Sequence, residues 1–108
     1  MITAKISTSP LGRGLTVTGH ANFSGNGQDI VCAGVSTIVY ALMGFLENHR
    51  GELEGYTARA SSGDACLLFK GGGEKVMGAW EMTLIGLYQL ERRYPEYIRV
   101  ETEGEYES

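Results

Sequence analysis

Between Gly19 and Ser36 the chain reads GHANFSGNGQDIVCAGVS: one histidine, His20, and one cysteine, Cys32, flank a glycine-rich loop that opens onto a long apolar stretch. A thiol beside an imidazole is a nucleophile with its proton carrier, because an imidazolium favours the thiolate and the thiolate attacks carbonyl carbon. If Asp29 is the N-cap of a helix, Cys32 occupies its third position. Unpaired N–H groups and the positive helix end would then favour the thiolate, and the same N–H groups would face the oxygen of a tetrahedral intermediate. The Asp29 carboxylate opposes thiolate formation by like charge, so capping or fixing the loop is its preferred role, with orientation of His20 as the alternative. Ser36 lies one turn, about 5.4 Å, deeper on the face of Cys32. There it would tune the thiol or a bound water, or bond back to its own helix carbonyl. Spacing alone leaves the plainer reading open as well: a packed cysteine, and a histidine that merely ends a strand.

Other chemistries fit less well. Gly25-Asn26-Gly27 lacks the third glycine of a dinucleotide loop, since Ile30 stands there, and Asp29 would repel a phosphate. The cysteines and histidines at 20, 32, 49 and 66 lack zinc-finger spacing and form no Cys-x-x-Cys pair. Nine basic against thirteen acidic residues give a net charge of −4, and no basic cluster exceeds Arg92-Arg93, so nucleic-acid binding is not expected. Glu101, Glu103, Glu105 and Glu107 read as a solvated strand face and tail, with attraction of a basic substrate segment as the alternative. The start MITAKIST is unlike a secretory signal, and two cysteines are too few for a disulfide scaffold. The expectation is one domain spanning residues 1–108, in the cytoplasm, with both thiols reduced.

The elements that must position the pair follow from hydrophobic period. Ile2, Ala4 and Ile6 alternate with polar residues as in a half-buried strand, and GLTVTGHA resumes the alternation after a turn at Pro10-Leu11-Gly12, which puts His20 near a strand end. Asn26-Gly27 is a turn pair. Val31 to Leu46 carries no charge and is apolar almost all round a helix, so it is expected to be a central, buried helix. A membrane span is discounted, since the run falls short of about 20 residues and contains Ser36, Thr37 and Tyr40. His49 serves as a donor near the last carbonyls of that helix. Residues 52–60 and 64–70 form a hairpin whose second arm is the more buried. A second helix runs from about Glu74 to Tyr94, with Val76, Trp80, Leu84, Leu87 and Leu90 at helical spacing and Pro95 as its stop. Its Gly78, Met82 and Gly86 side should admit a close neighbour. The tail is a last strand. The fold class is α+β, in the order β-β-α-β-β-α-β, with the second helix packed on a mostly antiparallel sheet.

GHA, a glycine-containing loop and then DIVCAGVS resemble the ribosomal-processing cysteine protease (Prp, or YsxB-like) family, and LIGLYQLERRYPEYIRV is similar to that family's C-terminal half. The resemblance implies a catalytic dyad of His20 and Cys32, supporting positions at Asp29 and Ser36, no cofactor and no metal, and a homodimer. It also implies a mobile substrate loop of Ala21, Asn22, Phe23, Ser24, Gly25, Asn26, Gly27 and Gln28. The implied substrate is the N-terminal extension of a large-subunit ribosomal protein. A leader on another protein, such as a structural protein of a mobile element, is the variant of this reading. Gly34 stands where many members have alanine. The competing classes are a noncatalytic dimeric module that binds a partner protein and a redox or acyl-transfer protein using the same thiol.

Overall fold

The structure is a computed structural model that describes residues 1–19, 26–61 and 63–104, with the backbone alone for 26–29 and 104. Its elements are β1 (Ile2–Ser9), β2 (Gly12–Thr18), α1 (Asn26–Asn48), a 3-10 turn (Arg50–Glu52), β3 (Leu53–Ser61), β4 (Asp64–Gly71), α2 (Glu74–Arg93) and β5 (Ile98–Gly104). The five strands make one sheet in the order β3-β4-β2-β1-β5. Three pairings are antiparallel and β1 with β5 is parallel, which agrees with the expected α+β order and mostly antiparallel sheet.

Period-2 alternation sets one sheet face against the helices. Ile2, Ala4 and Ile6 of β1, Leu15 and Val17 of β2, and Leu67 and Phe69 of β4 are buried, while Lys5, Leu68 and Lys70 point the other way and are exposed. The second hairpin arm is the more buried one, as expected: β3 has no fully buried residue. Onto this face α1 lays Val31, Val35, Val39, Leu42 and Leu46, and α2 lays Val76, Trp80 and Leu87, each set at helical spacing. The Trp80 ring meets Phe69 edge-on, with centroids 5.4 Å apart. Thr83 is buried among them, and its hydroxyl donates to the Ala79 carbonyl at 2.8 Å, which satisfies a polar group that would otherwise destabilise the core.

The burial of α1 is one-sided. Ile30 and Tyr40 are 54% and 56% exposed. The stretch Ile30–Asn48 is long and apolar enough to cross a membrane, yet here it supplies one flank of the core. The helices meet where side chains are small: a Cβ at Gly86 would come within 3.0 Å of Ile38 Cδ1, and one at Gly34 within 3.4 Å of Leu90. The expected close approach thus holds at Gly86, whereas Gly78 faces open space and Met82 is 74% exposed. At the end of α1, His49 Nδ1 lies 2.9 Å from the Phe45 carbonyl, in the role of helix-end partner read from the sequence. The 3-10 turn that follows was not anticipated. On the other flank, α2 is tied to β5 by Tyr88 with Thr102, 2.7 Å apart, and by the Val100 N–H donating to Glu91 at 2.9 Å.

The start of α1 corrects the sequence reading. The helix begins at Asn26, so Asp29 is its fourth residue and not its N-cap, and Cys32 is its seventh residue rather than the third. Asn26, Gly27 and Gln28, expected in the loop, are helical. First-turn residues need no intrahelical acceptor for their N–H groups, so Asn26 and Gly27 lose little there, and Asp29 remains favourably placed near the positive helix end.

Candidate active site

Cys32 is half-buried on the flank of α1 that faces away from α2. It lines a cleft of about 390 Å³, within the range of ligand-binding clefts. Ser36 and Tyr40 line the same cleft because positions i, i+4 and i+8 fall on one side of a helix. Val35, Val39 and Val17 form its apolar base, and the hairpin residues Ser61, Gly63, Asp64 and Ala65 form the facing wall.

Gly19 completes the wall at the end of β2. Its φ of +106° is in the region that favours glycine, a Cβ there would lie 2.2 Å from the Met1 carbonyl oxygen, and its N–H donates to the Gly63 carbonyl at 3.1 Å. This bond joins the end of β2 to the β3–β4 turn. The next residue is His20. It lies outside the described residues, as do Ala21 to Gly25 and the side chains of Asn26 to Asp29. His49, the second of two histidines, sits 17 residues beyond Cys32 near the far end of α1, about 25 Å away at helical rise. Within one chain His49 is thus too far from Cys32 to pair with it.

The two thiols differ. Cys66 projects from the opposite face of β4, where it accepts a hydrogen bond from Thr16 Oγ1 at 3.6 Å. Cys32 opens into the cleft. Ser36 makes no bond back to a helix carbonyl among the described residues; Thr37 does, donating to Ala33 at 2.8 Å. Because Cys32 lies almost two turns inside α1, the unpaired first-turn N–H groups are not at its own position, and the helix-end field falls off within that first turn. Asp29 therefore does not cap the helix in front of Cys32, and the helix end does not by itself favour the thiolate there. What stands is an accessible thiol in a cleft whose wall ends at the residue before His20.

The sequence reading missed Tyr40 and the hairpin wall of Ser61, Gly63 and Asp64. Tyr40 had a signal, since it continues the i, i+4 series of Cys32 and Ser36. The wall had none, because it is made by strand register and not by local pattern. Asp64 is held by Arg59, Nη1 to Oδ2 at 2.8 Å. That carboxylate holds the guanidinium above its usual pKa, first by the hydrogen bond and then by charge. Among the described residues no group of three or more His, Cys, Asp or Glu side chains is placed to hold a metal.

Residues 1–99 match the family described as Cysteine protease Prp. The chain belongs to that family. The ribosomal processing cysteine protease Prp of Bacillus subtilis (strain 168) is 62% identical over 24 residues, a match that spans 22% of this chain and about a fifth (21%) of that protein. Among solved structures, SMU.848 from Streptococcus mutans is 26% identical, with a TM-score of 0.75 over 97% of this chain and 96% of its own. The essential ribosomal processing protease Prp from S. aureus, in complex with a covalently linked product peptide, superposes with a TM-score of 0.79 at 22% identity over 95% of this chain and all of its own. At that identity the likeness is one of fold. The Prp fold is thus the α+β arrangement described above, and the Prp family is one of cysteine peptidases.

Proposed function

We propose that residues 1–108 form one catalytic domain, a cysteine endopeptidase that removes the N-terminal extension of a large-subunit ribosomal protein in the cytoplasm through a dyad of Cys32 and His20. The observation that carries this reading is the cleft: of two thiols, the one in the family-like motif opens into it, and its wall ends at Gly19. In the reaction the Cys32 thiol gives its proton to His20 and its sulfur bonds to the scissile carbonyl carbon. The C–N bond then breaks as His20 protonates the departing amine. Water, deprotonated by His20, adds to the thioester; the C–S bond breaks, which releases the carboxylate and restores the thiol. Asp29 in the first helical turn and Ser36 in the cleft support the pair. Residues 21–25 are the remaining candidates for a loop that closes over substrate.

We propose a homodimer as its assembly. On α2, Met82 and Ile85 are each more than half exposed, the kind of apolar side chain that pairing covers. The test incubates wild type, Cys32→Ala and His20→Ala with ribosomal-protein precursors and reads the products by intact mass. Loss of the leader with wild type alone is expected. Cleavage by Cys32→Ala, or an intact precursor with wild type, overturns the reading.

A further inference from the structure

Among the described residues, strand β3 carries an exposed stretch on the helix side of the sheet. Ala58 lies opposite Leu67 and Ala60 opposite Ala65, and directly opposed residues share a face. Leu67 is buried in the core and Ala65 packs against it, so Ala58 and Ala60 also point to the helix side, yet both are exposed. The reason is the placement of the helices. Helix α2 packs on the far flank of α1 and against β5, so among the described residues the element beside Ala58 and Ala60 is the flank of α1 that bears Cys32, Ser36 and Tyr40, with Arg50 over the Tyr56 ring farther along β3.

The trough between that flank and β3 has matched walls. One end is the cleft where Cys32 faces Ser61 and Gly63. The other is closed by the Tyr56 hydroxyl donating to the Met43 carbonyl at 3.3 Å. From Cys32 to Met43 a helix rises about 16 Å, and from Ser61 to Tyr56 a strand covers about 16 Å. The two elements therefore run side by side for the length of roughly five extended residues. The floor is alanine at 58, 60 and 65. Tyr40 stands about 12 Å from Cys32 along the helix, the reach of three to four residues of extended peptide.

We infer that this trough holds one flank of the substrate peptide in extended form, its uncharged side chains lying over Ala58 and Ala60, and that Tyr40 is a specificity-determining residue contacting the position three to four residues from the scissile bond. The inference rests on the protease reading above. It is continuous with the Cys32 cleft, and its charged neighbours stand at the two ends, Asp64 in the cleft wall and Arg50 over the Tyr56 ring, with alanine between them.

The test uses a leader-spanning peptide from a ribosomal-protein precursor, both full-length and shortened from either end, with wild type, Ala60→Trp and Tyr40→Ala. Readouts are kcat/KM, binding of fluorescent peptide to the Cys32→Ala forms, and the rate of iodoacetamide labelling at Cys32, which needs no trough and reports an intact fold. Ala60→Trp should lower kcat/KM and weaken peptide binding at least tenfold while labelling stays within twofold of wild type. Shortening one flank to two residues should lower wild-type kcat/KM, and Tyr40→Ala should add little to that loss. Wild-type cleavage and binding by both variants, or length independence on both flanks, overturns the trough alone. Peptide that is bound but not cut by wild type overturns the protease reading and leaves the trough supported if Ala60→Trp abolishes the binding. Peptide neither bound nor cut overturns both.

Discussion

Gly19→Ala tests the joint between β2, the hairpin turn and the residue that leads into His20. An alanine at φ +106° is strained by roughly 1–3 kcal/mol. Its methyl would also sit 2.2 Å from the Met1 carbonyl oxygen, a backbone atom that yields only if the start of β1 moves. That shift endangers two backbone bonds, Gly19 N–H to Gly63 at 3.1 Å and Ile2 N–H to Tyr97 at 2.9 Å, each worth about 1 kcal/mol net. The expected loss is about 2–4 kcal/mol, which for a chain of this size lowers Tm by roughly 10–25 °C. Urea and thermal unfolding measure it, with Gly78→Ala as the control. A Cβ at Gly78 meets nothing within 4 Å, so that change in an exposed helix interior should stabilise by about 0.5–1 kcal/mol. Peptide cleavage by Gly19→Ala, measured well below its Tm, should also fall, because the wall beside Cys32 is displaced. A Gly19→Ala protein within 0.5 kcal/mol of wild type, a margin typical of unremarkable surface positions, would refute the reasoning.

The remaining predictions concern the helices and the far end of the trough. Gly34→Ala should raise stability by about 0.5–1 kcal/mol in thermal melts, since its methyl would reach only the ordinary-contact distance of 3.4 Å from the Leu90 methyls. Trp80→Ala should cost about 3–5 kcal/mol in urea unfolding, because the ring is buried against Phe69. Met82→Glu with Ile85→Glu should shift sedimentation from dimer to monomer without changing the far-UV spectrum, as both side chains are exposed in the single chain. Burial raises the Tyr56 pKa, Glu47 adds to the rise and Arg50 opposes it. The folded state thus holds the phenolic proton more tightly than the unfolded chain. That contribution is complete below the unfolded value near 10 and is lost as pH rises through the higher folded value, so Tyr56→Phe should flatten the alkaline decline of stability seen in pH-dependent melts.

Much of the fold was legible in the chain because buried faces leave periodic marks. Alternation at Ile2, Ala4 and Ile6 gave β1, and the spacing of Val76, Trp80 and Leu87 gave α2 almost to its ends. The start of α1 was not legible, since Asn26-Gly27 has the local chemistry of a turn while the helical bonds that recruit it come from residues farther on. The one-sidedness of α1 was hidden for a related reason: an uncharged stretch looks buried all round, and only the sheet order reveals that Ala58 and Ala60 of β3 stay exposed beside it among the described residues. Cys32, Ser36 and Tyr40 share a face by simple helical arithmetic. Their opposing wall, Ser61 with Gly63, Asp64 and Ala65, arises from the register of β4 against β2 and β3, which no local pattern encodes.

The claim on which the account turns is that the Cys32 sulfur itself becomes acylated. Acid quenching of wild-type protein milliseconds to seconds after mixing with precursor peptide, followed by mass mapping, measures this directly. The account predicts an adduct of the acyl-fragment mass on the Cys32 peptide, absent from the Cys66 peptide and strongly reduced in His20→Ala. Cleavage that proceeds with no adduct at any time point, together with full activity in Cys32→Ala, would contradict it.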